Sequence, residues 1–199
     1  ILSEIHRAIA QKYRTPEMDG VYLTWEDLGK TQHDDQSYFY YNNGNLSYGP
    51  YFNANPVTWT LFASKGISIL GPEVTNIEFE TSSQQLKSFV LINMNTYWAS
   101  RVQWLEESSE DIQEEIEWMV LGLLRQYYTL MEGEVISKTA AGLYGLNHFP
   151  KEYHRIIKEA VNGRMGRKES LFNSERERLE SIIEFSKYLV GYCNRICAV

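Results

Sequence analysis

Gly122-Leu-Leu-Arg-Gln-Tyr-Tyr-Thr-Leu-Met-Glu-Gly-Glu-Val-Ile-Ser-Lys-Thr-Ala-Ala-Gly-Leu-Tyr-Gly-Leu146 reads as one helix ending at Gly133 and a second starting at Ser137. Leu121, Leu124, Tyr128 and Met131 recur at three- and four-residue spacing and predict a buried stripe. Gly133 supplies the left-handed position that closes a helix, and Ser137 is a good N-cap. Lys138 then falls at the first helical position, where a cation meets the positive end of the helix dipole. The arrangement costs about 0.3–1 kcal/mol when exposed, unless an anion such as phosphate lies between them. If the helices pack as an antiparallel hairpin, Arg125 comes back beside the start of the second. Two readings are open at this point: a surface Lys with an Arg paired to a nearby Glu, or a phosphate site.

The chain has 199 residues, 43% of them hydrophobic, enough to bury a sizeable core. No apolar run approaches the roughly 18 residues that span a bilayer, and no basic-then-apolar signal segment opens the chain, so no membrane partner is expected. A net charge of −7 argues against a nucleic-acid surface and suits a cationic ligand better. Cys193 and Cys197 share one face of the last helix, where a bridge would strain the backbone. Free thiols in a reducing cytoplasm are the expectation. None of His6, His33, His148 and His154 has ligand spacing to another, so no metal site is expected within these residues.

Along the chain, Ile1, Leu2, Ile5, Ala8 and Ile9 form a helical pattern that opens without an initiator Met or an upstream cap, as if within a longer protein. Pro16 should stop it, and Gly20–Trp25 reads as a strand. Lys30 to Gly44 is polar and aromatic, Asn42-Asn-Gly-Asn45 is a turn, and Leu46–Gly49 is a short strand. Asn55 and Pro56 open a helix to Ser64, and Ile67–Leu70 reads as a further strand. After Pro72 the pattern is helical throughout: Gln85–Leu105, the acidic stretch Glu106–Glu117, the two helices above, Pro150–Asn162, and a last helix capped by Asn173 or Ser174, with Leu179, Ile182, Ile183, Ser186 and Leu189 inward. The expected architecture is α+β, a partial α/β domain over residues 1–75 followed by an all-α helical bundle over 76–199, as a monomer.

The order of these blocks resembles the aminoglycoside adenylyltransferases that modify streptomycin and spectinomycin, and their nucleotidyltransferase relatives. The resemblance rests on Arg125-x-x-Tyr128, Gly133-Glu-Val-Ile-Ser-Lys138, the helix to Leu146 and Phe149-Pro-Lys-Glu-Tyr153, preceded by Asn55–Phe62 and Gly66–Pro72. It implies that residues 1–75 belong to a nucleotidyltransferase catalytic domain, that Arg125 and Lys138 hold the phosphates of ATP, and that Mg²⁺ takes part. The Gly-Ser turn and Asp-x-Asp pair that grip phosphate and metal in that family do not occur in these residues, so this segment alone should not catalyse transfer. The family's third carboxylate, the base, falls at Tyr22; Asp19 and Glu26 flank that strand as candidate substitutes, with turn or capping roles equally open.

The resemblance also implies substrate-binding roles for Glu115, ten residues before Arg125, and for Tyr51 against the acceptor, and it aligns Arg164 with a residue that stacks on adenine. The seven acids Glu106, Glu107, Glu110, Asp111, Glu114, Glu115 and Glu117 read either as a solvated helix start or as a site for ammonium groups. Trp104 and Trp118 are open to core or sugar-stacking roles, and Arg164, Arg167 and Lys168 to a solvated basic loop or a phosphate or nucleic-acid site. The expected function is transfer of AMP from ATP to a hydroxyl of an aminoglycoside-type acceptor. The alternative is a non-catalytic nucleotide-binding sensor or interaction module.

Overall fold

The computed structural model describes residues 1–13, 18–31, 36–107, 113–167 and 169–197, with 113 and 114 described in their backbone only. Pro16, His33, Glu110, Asp111 and Lys168, and the side chain of Glu114, lie outside the described residues. The chain divides into two compact units, Ile1–Ser82 and Ser83–Val199, and the architecture is mixed and mostly helical.

The first unit opens with α1 (Leu2–Lys12), followed by strands β1 (Gly20–Tyr22), β2 (Tyr38–Asn42) and β3 (Asn45–Gly49), helix α2 (Pro56–Lys65) and a 3-10 turn at Val74–Asn76. The strands form an antiparallel meander in which Tyr22 faces Phe39 and Tyr41 faces Leu46. Asn43 and Gly44 both take positive φ, 48° and 75°, the twist that a two-residue hairpin loop needs. Asn55 caps α2 by accepting from the amides of Val57 at 3.0 Å and Thr58 at 3.2 Å, with Pro56 at the first helical position. Tyr51, Ala54 and Trp59 form the core of this unit, and the Trp59 indole donates to the Lys30 carbonyl at 2.8 Å.

Three sequence expectations change here. Ile67–Leu70 is not a strand: Ile69 and Leu70 are 95% and 94% exposed, and alternation of apolar residues cannot make a strand without an edge to pair with. The strand from Gly20 stops at Tyr22, because the Thr24 hydroxyl and carbonyl turn the chain towards Asp27 and Leu28. On α1 the apolar stripe is not the buried face, since Ile1 and Ile5 are exposed. The buried residue is His6, stacked on Tyr41 with centroids 3.8 Å apart and bonded through Nε2 to the Tyr22 hydroxyl at 2.7 Å.

The second unit contains α3 (Ser83–Asn93), a π-helical turn at Met94–Trp98 running into α4 (Ala99–Glu107), α5 (Gln113–Glu132), α6 (Lys138–His148), a 3-10 turn at Lys151–Tyr153 leading into α7 (His154–Arg164), and α8 (Glu175–Cys197). Helix α5 packs against α3, α6, α7 and α8. Its burial is therefore broader than one stripe: Ile116, Met119, Val120, Leu121, Leu123, Leu124, Tyr127 and Leu130 are all buried, whereas Tyr128 and Met131 are half-buried. A helix at the centre of a bundle presents a neighbour to nearly every face, which periodicity underestimates.

Gly133 ends α5 with φ +72°, and the Ser137 hydroxyl accepts from the Ala140 amide at 3.2 Å. The antiparallel hairpin is overturned. Gly142 lies against Leu121, Gly145 against Leu124 and His148 beside Tyr127, so contacts advance in the same sense along α5 and α6. Extended residues between Gly133 and Ser137 carry the chain back, with Val135 buried. The two glycines permit the close approach: a Cβ at Gly142 would sit 2.4 Å from Val161 Cγ2, and one at Gly145 2.7 Å from Leu124 Cδ2. The start of α6 thus comes to the first half of α5.

Candidate functional site: a cation-lined cavity in the helical unit

A cavity of about 640 Å³ opens in the second unit, lined on α5 by Glu115, Ile116, Glu117 and Trp118 and elsewhere by Tyr97, Arg101, Lys138, Glu159, Ala160 and Gly163. Lys138 of α6 lines it, and two further cations, Arg125 of α5 and Arg164 of α7, lie close to Lys138. Lys138 Nζ lies 3.9 Å from Glu117 Oε1, and Arg164 Nη1 donates to the same oxygen at 2.9 Å. Arg125 is partly buried, with no carboxylate within 4 Å among the described residues and with its Nε unpartnered. Burial pushes Arg125 below the ordinary arginine value, and repulsion from Arg164 pushes it further. Burial likewise lowers Lys138; Glu117 opposes that shift, while Arg164 and Arg125 add to it. Two of these cations share the Glu117 carboxylate and the third, Arg125, lies near them, at a helix start whose amides also point outward.

The opposite chemistry lies one turn away. Glu115 Oε1 pairs with Arg101 Nη2 at 2.8 Å, and the Arg101 guanidinium lies 4.2 Å from the centre of the Trp104 ring and 5.3 Å from that of Trp118. Trp118 packs on Trp98 with centroids 4.6 Å apart and meets Tyr97 edge-on. The π-helical turn carries Tyr97 and Trp98 to this place; such turns insert one residue and re-aim the side chains that follow. Burial raises the Tyr97 phenol above its ordinary value, with Arg101 opposing and Glu115 adding to the shift.

A buried network supports the cavity from α7 and α8. Glu159 accepts from the Ser170 hydroxyl at 2.8 Å and the Leu171 amide at 2.6 Å, and Arg178 Nη1 lies 3.6 Å from it.

Arg125, Lys138, Glu115 and Trp118 all belong to this one region of the second unit. Tyr51 belongs to the first unit, where it is a buried core residue packed on Tyr40 and facing a smaller apolar cavity of about 360 Å³ with Trp25 and Trp59. Asp19 is exposed and accepts from the Asn43 amide at 3.2 Å, which fastens the hairpin turn. Glu26 is exposed in the turn after β1. The four acids of the stretch whose side chains are described are all engaged: Glu106 pairs with Lys187, Glu107 accepts from Gln103, and Glu115 and Glu117 are engaged as above.

Sequence reasoning did not single out Arg101 or Glu117. Arg101 carries no local signal for its pairing with Glu115. Glu117, Leu121 and Arg125 stand at i, i+4 and i+8 of one helix, a stripe that could have suggested that the acid and the arginine share a side. Among the described residues no group of three or more His, Cys, Asp or Glu gathers in a way that could hold a metal ion. Glu115 and Glu117 already face arginines, so these residues do not fit Mg²⁺. No helix among the described residues is long and apolar enough to cross a membrane.

Residues 83–199 are thus a helical unit built around one central helix, with an anion-suited cation cluster beside an aromatic, ion-paired wall. Residues 87–189, just over half of the chain, match the sequence model of the family described as aminoglycoside adenylyltransferase, C-terminal domain, and the chain belongs to that family. It is similar to the aminoglycoside (3'') (9) adenylyltransferase of Escherichia coli, with 24% identity over 122 residues, covering 61% of this chain and 43% of that protein. The protein of the same name from Rhizobium radiobacter is 24% identical over 121 residues, covering 61% of this chain and 42% of the relative. The match spans less than half the length of either relative.

Proposed function

We propose that the Arg125, Lys138 and Arg164 cluster binds the phosphates of ATP, and that this chain is the nucleotide- and acceptor-binding portion of an enzyme that transfers AMP to a hydroxyl of an aminoglycoside-type acceptor. One observation carries the reading: Lys138 and Arg164 share the single carboxylate of Glu117 while Arg125, close to both, has none among the described residues, and burial disfavours the charged forms of Lys138 and Arg125 in the absence of a ligand. A protein retains such an arrangement when an anion repays it. The names of the relatives support adenylyl transfer as the reaction.

In this reading the chain's own contribution is positional. Lys138, Arg125 and the amides opening α6 hold the phosphates, while the Tyr97, Trp118 and Glu115 wall takes the acceptor ring. No group of acids among the described residues could hold a metal, and Asp19 and Glu26 stand as candidate bases only, so no chemical step is assigned to residues here.

The test is calorimetric titration of ATP into the protein and into an Arg125→Ala, Lys138→Ala double variant whose helical content and melting are shown to be intact. Loss of binding in the variant is expected; an unchanged affinity would remove the phosphate site. A second reading, a nucleotide-binding sensor without transfer, draws support from Tyr22, which stands at the register of the family base and bonds to His6. Pyrophosphate released by the source protein from ATP with streptomycin or spectinomycin separates the two.

A further inference from the structure

We propose that Glu117 is an internal counter-ion that raises the affinity threshold of the cation cluster, so that single phosphates are kept out while oligophosphates, which make further contacts, still enter. The inference rests on the phosphate-site reading above and adds to it a residue that decides which anions can enter.

Glu117 projects from α5 between the other two helices that supply cations. Its Oε1 accepts from Arg164 and faces Lys138, so one tethered carboxylate occupies the place where an anion would sit. Its side chain is 26% exposed, against 22% for Lys138 and 52% for Arg164, so the group sits at the cavity wall and can swing away without unpacking the core. Arg125 remains outside this arrangement, without a carboxylate among the described residues and with its Nε unpartnered.

A tethered group competes at an effective concentration on the order of millimolar or more. A single phosphate that enters must displace Glu117 from Arg164 and Lys138, and it replaces one charge-assisted contact with another of the same kind. It also loses its translational freedom, which Glu117 has already given up by being part of the chain. Such an exchange gains little. An oligophosphate differs because one molecule carries several phosphate groups: it can take Lys138 and Arg164 from Glu117 while also reaching Arg125 and the amides at the start of α6. Only the multivalent anion makes contacts that Glu117 cannot make.

The experiment titrates orthophosphate, pyrophosphate and tripolyphosphate, each at the same ionic strength in a phosphate-free buffer, into the wild-type protein and into Glu117→Gln. The substitution keeps size and hydrogen bonding and removes the charge. Wild type should bind tripolyphosphate and discriminate against orthophosphate by about a hundredfold, two steps of about 1.4 kcal/mol each. In Glu117→Gln, orthophosphate and tripolyphosphate should each bind about tenfold more tightly, the scale of one charge-assisted contact removed from a competition that both anions face. Unchanged affinities for both anions in a folded Glu117→Gln would overturn the role of Glu117 and leave the phosphate site standing. Should that variant fail to fold, the wild type decides alone: orthophosphate binding as tightly as tripolyphosphate overturns the inference. No binding of any phosphate to wild type would sink the phosphate site itself, and Glu117's role with it.

Discussion

Gly122→Ala tests whether α5 really lies against the π-helical turn that forms the aromatic wall. In a helix interior the change from Gly to Ala should stabilise by about 1 kcal/mol through backbone entropy alone. Here the new Cβ would meet Trp98 Cη2 at 2.2 Å and Cζ2 at 2.8 Å, far inside van der Waals contact. The indole has no free direction to yield: it is 5% exposed, with Trp118 at 4.6 Å and Tyr97 at 5.5 Å between centroids. Overpacking of this kind costs about 1–3 kcal/mol or somewhat more, so the clash outweighs the propensity gain and a net loss of about 1–2 kcal/mol is expected. Gly191→Ala is the control. On α8 its Cβ would meet only the tip of Arg195 at 3.5 Å, a flexible group, so a gain of about 0.5–1 kcal/mol is expected. Urea denaturation followed by far-ultraviolet dichroism reads both stabilities, and near-ultraviolet dichroism reads the displaced tryptophans. If Gly122→Ala stabilised as much as Gly191→Ala, the close packing of α5 on Trp98 would be refuted, and with it the wall that Trp118 and Tyr97 present to the cavity.

The remaining predictions concern buried charge. Arg178→Met should lower stability by about 3 kcal/mol, because Glu159 keeps its charge and its bonds to Ser170 and Leu171 but loses a buried cation; adding Glu159→Met should recover much of the loss in the same denaturation assay. Lys138 titrates below the ordinary lysine value of about 10.4 because burial disfavours its charged form. The folded state therefore releases this proton before the unfolded state does, and stability should rise with pH just below about 10.4. Lys138→Met should lack that increment when urea midpoints are compared across the window, and identical slopes would show that the amine is not buried as described.

Local chemistry made much of the fold legible. Gly133 and Ser137 bracket the α5–α6 turn because a left-handed backbone and a free amide each require a particular residue type on the spot. Asn55-Pro56 and Asn42–Asn45 were readable for the same reason. Strand β2 was not, since Tyr38–Asn42 alternates aromatic with aromatic and its pairing partners lie in other segments. Ile67–Leu70 misled in the opposite direction, because alternation describes a side-chain pattern and not the presence of a neighbouring strand. Lys138 and Arg125 were found from a helix terminus and a resemblance, yet the geometry that joins them depends on Gly142 and Gly145, whose closeness to Val161 and Leu124 only tertiary structure shows. The Arg101–Glu115 and Arg164–Glu117 pairs each link different helices, so no periodicity could announce them.

Those two pairs change what the overall charge implies. A net charge of −7 suggested a surface suited to a cationic acceptor, but charge counted over the whole chain does not fix the field within one cavity. Among the described residues both α5 acids that line it are answered by arginine, and Lys138 and Arg125 add further positive charge. A cationic acceptor would therefore have to take Glu115 from Arg101. The exchange is feasible because Arg101 would keep its stacking on Trp104 and Trp118, worth about 0.5–1 kcal/mol at a partly exposed site, and so would not be left as an unsupported cation. It would still lose a 2.8 Å ion pair of roughly the same or greater strength. If an acceptor binds at this wall as proposed, its recognition would depend at least as much on the faces of Trp118 and Tyr97 as on attraction between opposite charges, and its dependence on salt should be correspondingly shallow.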